Sequence, residues 1–450
     1  MARRVVVTGI GVISPVGVGI ESTFDALVAG RSGIRAIQTF DASTFDSPFG
    51  GEVPKYAMGD YVPKSYRKAT KVMARDIELA TVAAYLAVHD ARLRTKCIVE
   101  RGEAPAPADV DSTRFGANIG AGLICADLVE LSGALATAAE NRDAAPLERR
   151  FSFARWGSEG MTNLTPLWLL KFLPNMLACH VTIVHDCQAP SNTITCGEAS
   201  SHLAIGEAYR TIERGAADLC ICGGAEDKVN PMSMMRHVLN NRLTKERGLD
   251  PETACRPFDR DRSGSVASQG AGLLILEELE RAKSRGARIY AEVVGFGSSC
   301  SVQAWDHPQP DGRAQCLALE KAIRQARLQP DDIQCVAPLG CGTVEHDAAE
   351  AAAIHGALGS KGSEVFVLAN KGALGNNGAG SGAIDIAIAL EAMRRGVLPP
   401  SRNTDQVDPA CDLNVVRGDP RDARVDVVAS MAHAQFGGQA AALVFKRYSD

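Results

Sequence analysis

One unit recurs along this chain and limits what it can fold into: a short apolar run rich in β-branched residues, a glycine turn, then a stretch with helical spacing. Val5-Val6-Val7-Thr8-Gly9-Ile10-Gly11 reads as a buried strand ending in glycine, and residues 21–29 carry apolar side chains at helical intervals. Phe115-Gly116-Ala117-Asn118-Ile119-Gly120 opens a second unit. Between Pro190 and Glu226 the pattern is complete: a strand at 193–195, a turn at Gly197, a helix over about 199–214, and a strand at 218–222 that runs into Gly223-Gly224. That is a βαβ unit. Further strands are expected at 272–276, 289–295, 365–369 and 425–429, with helices at 73–92, 348–355 and 381–394 and an exposed loop at 100–112. Alternation of this kind predicts mostly parallel sheets covered by helices.

The chain has 450 residues. Single hydrophobic cores stop growing at about 250–300 residues, so two core-forming halves are expected. A net charge of −5 with only 5% aromatic residues argues against a nucleic-acid partner, which calls for a basic stripe with interleaved aromatics. No apolar run approaches the ~20 residues that cross a bilayer. Residues 1–7 lack the apolar stretch and cleavage site of a secretory signal, so the expected location is cytoplasmic. The 13 cysteines form no repeated CxxC pair and read as free thiols. Cys220 and Cys222 sit in an apolar run and read as buried strand, and no metal or cofactor is expected.

Four strings in order carry a resemblance: VVVTGIGVISPVG at the start, a central GGAEDKVNPM, RPFDRDRSG, and a closing QFGGQAAALVF. Together they resemble the β-ketoacyl-acyl carrier protein synthases over nearly the whole chain. The resemblance implies a five-layered αβαβα thiolase fold built from two similar halves, 1–255, with insertions for the dimer and pocket cap, and 256–450. It also implies a dimer and a substrate delivered on acyl carrier protein. Family members condense with a Cys at a strand-to-helix elbow and two histidines. The thiolate accepts the acyl chain, the helix N-terminus lowers the thiol pKa, and the imidazoles assist decarboxylation and hold the enolate oxygen.

Residue by residue, that set is missing here. The family's Cys stands eight residues before the helix glycine that matches Gly206, which places Glu198 at the nucleophile position. Cys196, two residues earlier, is the alternative thiol, but a two-residue shift moves a side chain ~6.6 Å along an extended segment, away from the helix end. The first histidine position holds Leu339, with Asp347 and Glu350 at the family's spacing beyond it. Cys341 replaces one of two threonines that bind the pantetheine arm in relatives, while Thr343 keeps the other. His346 matches a family glycine and reads as a surface or loop residue. At the second histidine position stands Asn376, five residues after a retained Lys371. Asparagine donates a hydrogen bond but does not titrate near neutral pH. Ala434 takes the place of the gating phenylalanine, ahead of Phe436 and Gly437, the other residues expected to line the acyl site.

Loss of all three catalytic groups implies that condensation by the family mechanism is absent. The pattern of loss is similar to that of the chain-length factors, which pair with an intact ketosynthase, although those carry Gln at the elbow. The leading expectation is a noncatalytic partner in fatty acid or polyketide assembly, a homodimer or a heterodimer with an active ketosynthase. The alternative is an active acyltransferase, decarboxylase or hydrolase on acyl carrier protein thioesters, with Glu198 as acid/base and His202 or Cys196 as helper. Glu198 is expected either to pair with Lys371 or to cap its own helix. Lys64, Arg67, Lys68 and Lys71 form a basic cluster in an acidic chain. They read either as a carrier-protein docking patch or as a solvated helix face.

Overall fold

Val5–Ser14 (β1) is buried along its whole length, which requires strands on both edges and cover on both faces. The computed structural model describes residues 3–245, 248–303 and 305–449. Met1 and Ala2 of the opening run lie outside them.

In the first part of the chain, β1 is followed by Arg75–Asp90 (α1), Phe115–Ala121 (β2), Met176–His185 (α2), Asn192–Ile194 (β3) and Ser200–Glu213 (α3). Next come Leu219–Asp227 (β4), Pro231–Leu239 (α4) and Gln269–Glu278 (β5). The second part runs through Ala291–Cys300 (β6), Arg313–Gln325 (α5), Cys335–Ala337 (β7), Val344–Leu358 (α6) and Phe366–Val367 (β8). It ends with Ser381–Arg395 (α7), Asn414–Val415 (β9), Val427–His433 (β10) and Gln439–Lys446 (β11). The strand order is β9-β8-β7-β10-β11-β6-β1-β5-β4-β2-β3.

The expected strands all form, β7, β9 and β11 join them without having been expected, and the expected parallel character is only half right. The outer ladders, β2 with β3 and β4, and β7 with β8 and β10, are parallel. The inner ladders, β4 with β5, β5 with β1, β6 with β11 and β11 with β10, are antiparallel. Hydrophobic runs report burial on both faces and carry no information on strand direction, so the inner ladders were invisible to that reasoning.

Alternation along each strand builds the layers. Leu274 and Leu276 of β5, with Cys220 and Cys222 of β4, point to a middle layer of α3 and α7. Their neighbours Leu273, Ile275, Leu219 and Ile221 point the other way, against α1 and α2. The second half repeats this: Leu443 and Phe445 of β11 face the middle layer, whereas Ala442 and Val444 face α5 and α6. The outcome is helix, sheet, helix, sheet, helix. Helix α7 is buried on all sides from Ser381 to Met393, as a helix sandwiched between two sheets must be.

The two halves join through β1 and β6, where Val5–Val7 pairs with residues 291–293. Because β5 lies between β1 and β4, we propose that the halves divide between β5 and β6 and not after residue 255. Helix α1 lies so close to β1 that a Cβ built on Gly11 would stand 2.0 Å from the Ala83 carbonyl oxygen and 2.5 Å from the Ala87 nitrogen. Both obstacles are backbone, so neither can rotate aside. Gly11→Ala is therefore expected to destabilise the protein by at least the ~1–3 kcal/mol typical of overpacking, read as a lower urea midpoint. An unchanged midpoint refutes the packing argument.

Candidate functional site

The elbow between β3 and α3 is set by hydrogen bonds to one hydroxyl. Ser200 Oγ accepts from the Cys196 amide at 2.8 Å and donates to the Gly197 carbonyl at 2.6 Å. Gly197 has φ +55°, a left-handed conformation that glycine takes without strain. Its α-carbon also faces Ala434: a Cβ added there would lie 3.3 Å from the Ala434 Cβ. This turn aims Glu198 inward, onto a single helical turn ahead of α3.

Glu198 is buried, and three donors satisfy its carboxylate. Lys228 Nζ donates to Oε1 at 2.6 Å, Asn376 Nδ2 to the same oxygen at 3.2 Å, and the Gln435 amide to Oε2 at 3.0 Å. Lys228, just beyond the end of β4, is equally buried. The expected pairing with Lys371 does not form, and no amide of α3 contributes to these bonds. Lys371 is committed to Asp385 of α7, whose other oxygen accepts from Asn370 Nδ2 at 3.1 Å. Burial by itself pushes the Glu198 pKa up. The charge and hydrogen bond of Lys228, with the Gln435 amide and nearby His237, outweigh it and hold the group well below the usual carboxylate range.

Glu198 lines a cavity of about 330 Å³ together with Lys228, Glu226, Arg236, His237 and Phe436. A second cavity, about 340 Å³, is lined by Thr343, His346 and Arg242. Between the two, the Arg242 guanidinium stacks 5.0 Å from the Phe436 ring centroid. Phe436 also stacks on Trp305, whose carbonyl accepts from the Gly437 amide at 2.7 Å. Gln435 links the two sides: its amide serves Glu198, and its Nε2 lies 3.1 Å from the Cys341 sulfur.

Leu339 and Cys341 stand on a fully buried loop held by two carboxylates of α6. Glu350 accepts from the Leu339 and Gly340 amides, both at 2.8 Å, and Asp347 accepts from the amides of Phe258, Cys341 and Gly342. Burial pushes the Asp347 pKa up to about 6 and the Cys341 thiol well above its ordinary value. Thr343 begins α6, with its hydroxyl 3.3 Å from the Cys341 sulfur.

The remaining candidates separate. Cys196 is half-buried and burial raises its thiol pKa, the opposite of activation. His202 is fully buried, bonded to Ser430 Oγ at 2.9 Å, and burial lowers its pKa to about 3. It makes no hydrogen bond to Glu198. His346 is not on the surface or in a loop: it is buried on α6 and stacks on His433 with centroids 5.5 Å apart. Lys64, Arg67, Lys68 and Lys71 are all exposed.

Sequence reasoning missed Lys228, His237, His433 and the Gln435 backbone amide that donates to Glu198. The only available signal for Lys228 was its place in Glu226-Asp227-Lys228, a charged run at the end of a buried strand. Asp227 is also buried, and its amide donates to Asp76 Oδ1 at 3.0 Å. Burial raises the pKa of both groups, with the charge of Asp227 adding to the effect on Asp76.

Five layers with an elbow at the edge of the middle layer define a thiolase fold of the condensing-enzyme type. The chain belongs to the β-ketoacyl synthase family: residues 2–282 match its N-terminal domain and residues 290–405 its C-terminal domain. It is 33% identical to a 3-oxoacyl-[acyl-carrier-protein] synthase 2 of Synechocystis sp. over 447 residues, covering 99% of this chain and 98% of that one. It is 32% identical to the tetracenomycin polyketide synthase ketoacyl synthase alpha subunit of Streptomyces glaucescens, covering 99% and 97%. Among solved structures, the ishigamide ketosynthase/chain length factor superposes with a TM-score of 0.82 at 28% identity over the whole of both chains. The AntDE:AntF complex, described as a type II PKS acyl-carrier protein with its ketosynthase, gives 0.84 at 25%, again over the whole of both chains.

Removing one partner of a buried ion pair costs about 3–5 kcal/mol. Lys228→Met is thus expected to lower stability by that amount, and Glu198→Gln in the same chain to recover most of it, whereas Lys371→Met is expected to show no such rescue. Chemical denaturation of the set decides. A depressed carboxylate gives its full stabilisation above its unfolded pKa of ~4.3 and loses it progressively as pH falls from there through the lower folded-state pKa, so Glu198→Gln should flatten the acid limb of the stability curve.

For Asp76 the sign is reversed. Its raised pKa means that stability falls as pH climbs above the unfolded value of ~3.9. Asp76→Asn keeps an acceptor for the Asp227 amide, so it is expected to raise Tm more at pH 7.5 than at pH 5. An equal change at both values would contradict this.

Proposed function

We propose that this β-ketoacyl synthase-like chain is a noncatalytic subunit of fatty acid or polyketide assembly that pairs with a competent ketosynthase. The observation that carries the reading is the occupancy of the Glu198 carboxylate. In the family mechanism an elbow nucleophile takes an acyl group while nearby donors hold the developing oxyanion. Here the residue at the elbow position is an anion, and Lys228, the Asn376 amide and the Gln435 amide all donate to it. The nucleophile is absent and the donors are engaged.

The same contacts weigh against Glu198 as a general base. A base near its working pH is poised to exchange a proton. Glu198 is held far on the ionised side, with donors on both oxygens.

A partner surface supports the subunit reading. Between β2 and α2, large apolar side chains stand out in solvent: Val129 is 83% exposed, Phe153 85% and Leu147 fully so. Patches of this kind mark protein contacts. Separately, β3 is an outermost strand of the sheet and its free edge is open to pairing. The ishigamide relative is by its description a ketosynthase/chain length factor, and we assign this chain the chain-length-factor role. On this reading acyl carrier protein meets the complex through Lys64, Arg67, Lys68 and Lys71.

The test is to mix the purified chain with acyl and malonyl carrier protein, alone and with a ketosynthase that keeps its Cys/His/His set. Alone it is expected to make no β-ketoacyl product, and Glu198→Cys is expected not to restore any, because Leu339 and Asn376 still replace both histidines. With the ketosynthase it is expected to elute as a heterodimer. Turnover by the chain alone that Glu198→Gln abolishes would establish the enzyme instead.

A further inference from the structure

Next to the elbow cavity lies a larger one, of about 450 Å³. Glu226 lines the first and its neighbour Asp227 the second, as alternation at the end of β4 requires. Asp76, from the first turn of α1, meets Asp227 there. Around these two acids the wall is largely apolar, with Phe40, Met73, Leu128, Phe172 and Met232.

Most other polar groups on this wall are taken. Arg75 donates to the Tyr56 hydroxyl at 2.7 Å and to Glu78 at 3.0 Å. Glu130 accepts from Lys171 at 2.7 Å and from the Trp168 indole at 2.8 Å. Asp127 caps the helix Leu128–Thr137 through the Glu130 amide, and Asn230 caps α4 through the Ser233 amide. Asp227 Oδ1 accepts from the Val229 amide at 2.8 Å, with the Gln269 side chain as a further donor. Asp76 differs from all of these. It is 4% exposed, its Oδ1 accepts from the Asp227 amide at 3.0 Å, and its Oδ2 accepts from no other residue among those described.

A buried carboxylate oxygen without a donor is costly, and a second carboxylate beside it raises the cost. Among the described residues neither acid forms an ion pair, and Arg75 acts on Asp227 without touching it. A fatty acyl end placed here would desolvate Asp76 and return nothing. A hydroxyl would give a hydrogen bond but leave two like charges uncompensated. A metal ion needs more ligands than two carboxylates in an apolar wall, and the described residues hold no group of three or more His, Cys, Asp and Glu able to bind one. An ammonium supplies both donors and charge, and the alkyl body that carries it packs on the apolar wall. The volume falls in the range that encloses small molecules.

We propose that this cavity binds a small organic amine, with its ammonium on Asp76 and Asp227 and its alkyl body against Met73, Leu128 and Met232. Val129 on the same wall is exposed, so ligands enter the isolated chain from solvent, and the proposal does not rest on the functional reading above.

The probes are n-hexylamine, n-hexanol, n-hexanoate and methylamine, titrated into the full-length protein at pH 7.5 and followed by calorimetry. Hexylamine is expected to bind about tenfold or more tightly than each of the other three. Asp76→Asn keeps an acceptor for the Asp227 amide, and is expected to weaken hexylamine by about tenfold or more without lowering Tm. Met232→Ala is expected to weaken hexylamine about threefold or more and to leave methylamine unchanged, which tests the site with both acids in place. Equal binding of hexylamine, hexanol and hexanoate, no binding of hexylamine, or insensitivity to Asp76→Asn would each overturn the proposal. So would displacement by calcium at equal concentration, the mark of a metal site, or loss on Glu198→Gln with Asp76→Asn silent, the mark of an amine in the elbow cavity.

Discussion

The contact between Glu198 and Lys228 organises everything around it. Two opposite charges lie in the interior, and desolvating each is expensive enough that their mutual attraction alone seldom repays it. The surrounding groups supply the difference: Asn376 from the loop before α7 and Gln435 from the closing loop add hydrogen bonds to the same carboxylate. Asn376 is itself fixed, its oxygen accepting from the Gly378 amide at 2.9 Å. Four segments far apart in sequence are tied at one point. A neutral residue at position 198 would leave Lys228 buried and unpaired, so neither charge is free to change alone.

The layered fold was legible because strand and helix periods are written directly in the apolar pattern. Alternating residues of β4 and β5 divide between the middle and outer helix layers, as a period of two demands. What stayed hidden depends on partners remote in sequence. Lys228 lies 30 residues from Glu198, and a lysine after a strand ordinarily reads as the start of an exposed loop. Lys371 was a plausible partner on the resemblance, yet Asp385, buried on α7, claims its charge. His346 looked like a loop residue; once α6 is seen to begin at Val344, His346 and Glu350 share a face one turn apart, which turns the histidine inward.

The scaffold around positions 339 and 376 is tightly held. Asp347 and Glu350 still gather the amides of the 339–342 loop, and Lys371 still anchors the start of α7. The two carboxylates of α6 support backbone, so stability alone is reason enough for them.

The position of β1 has a consequence for how the protein is made. Apart from a short local pairing with residues 17–18, β1 finds its lateral neighbours at residues 271–278 and 291–293, so most of either edge is unsatisfied until β5 and β6 have been synthesised. Contacts so distant in sequence slow folding. Unpaired apolar strand edges invite mispairing, and α1, which covers β1 through the close approach at Gly11, is the nearest long helix in sequence able to shield it.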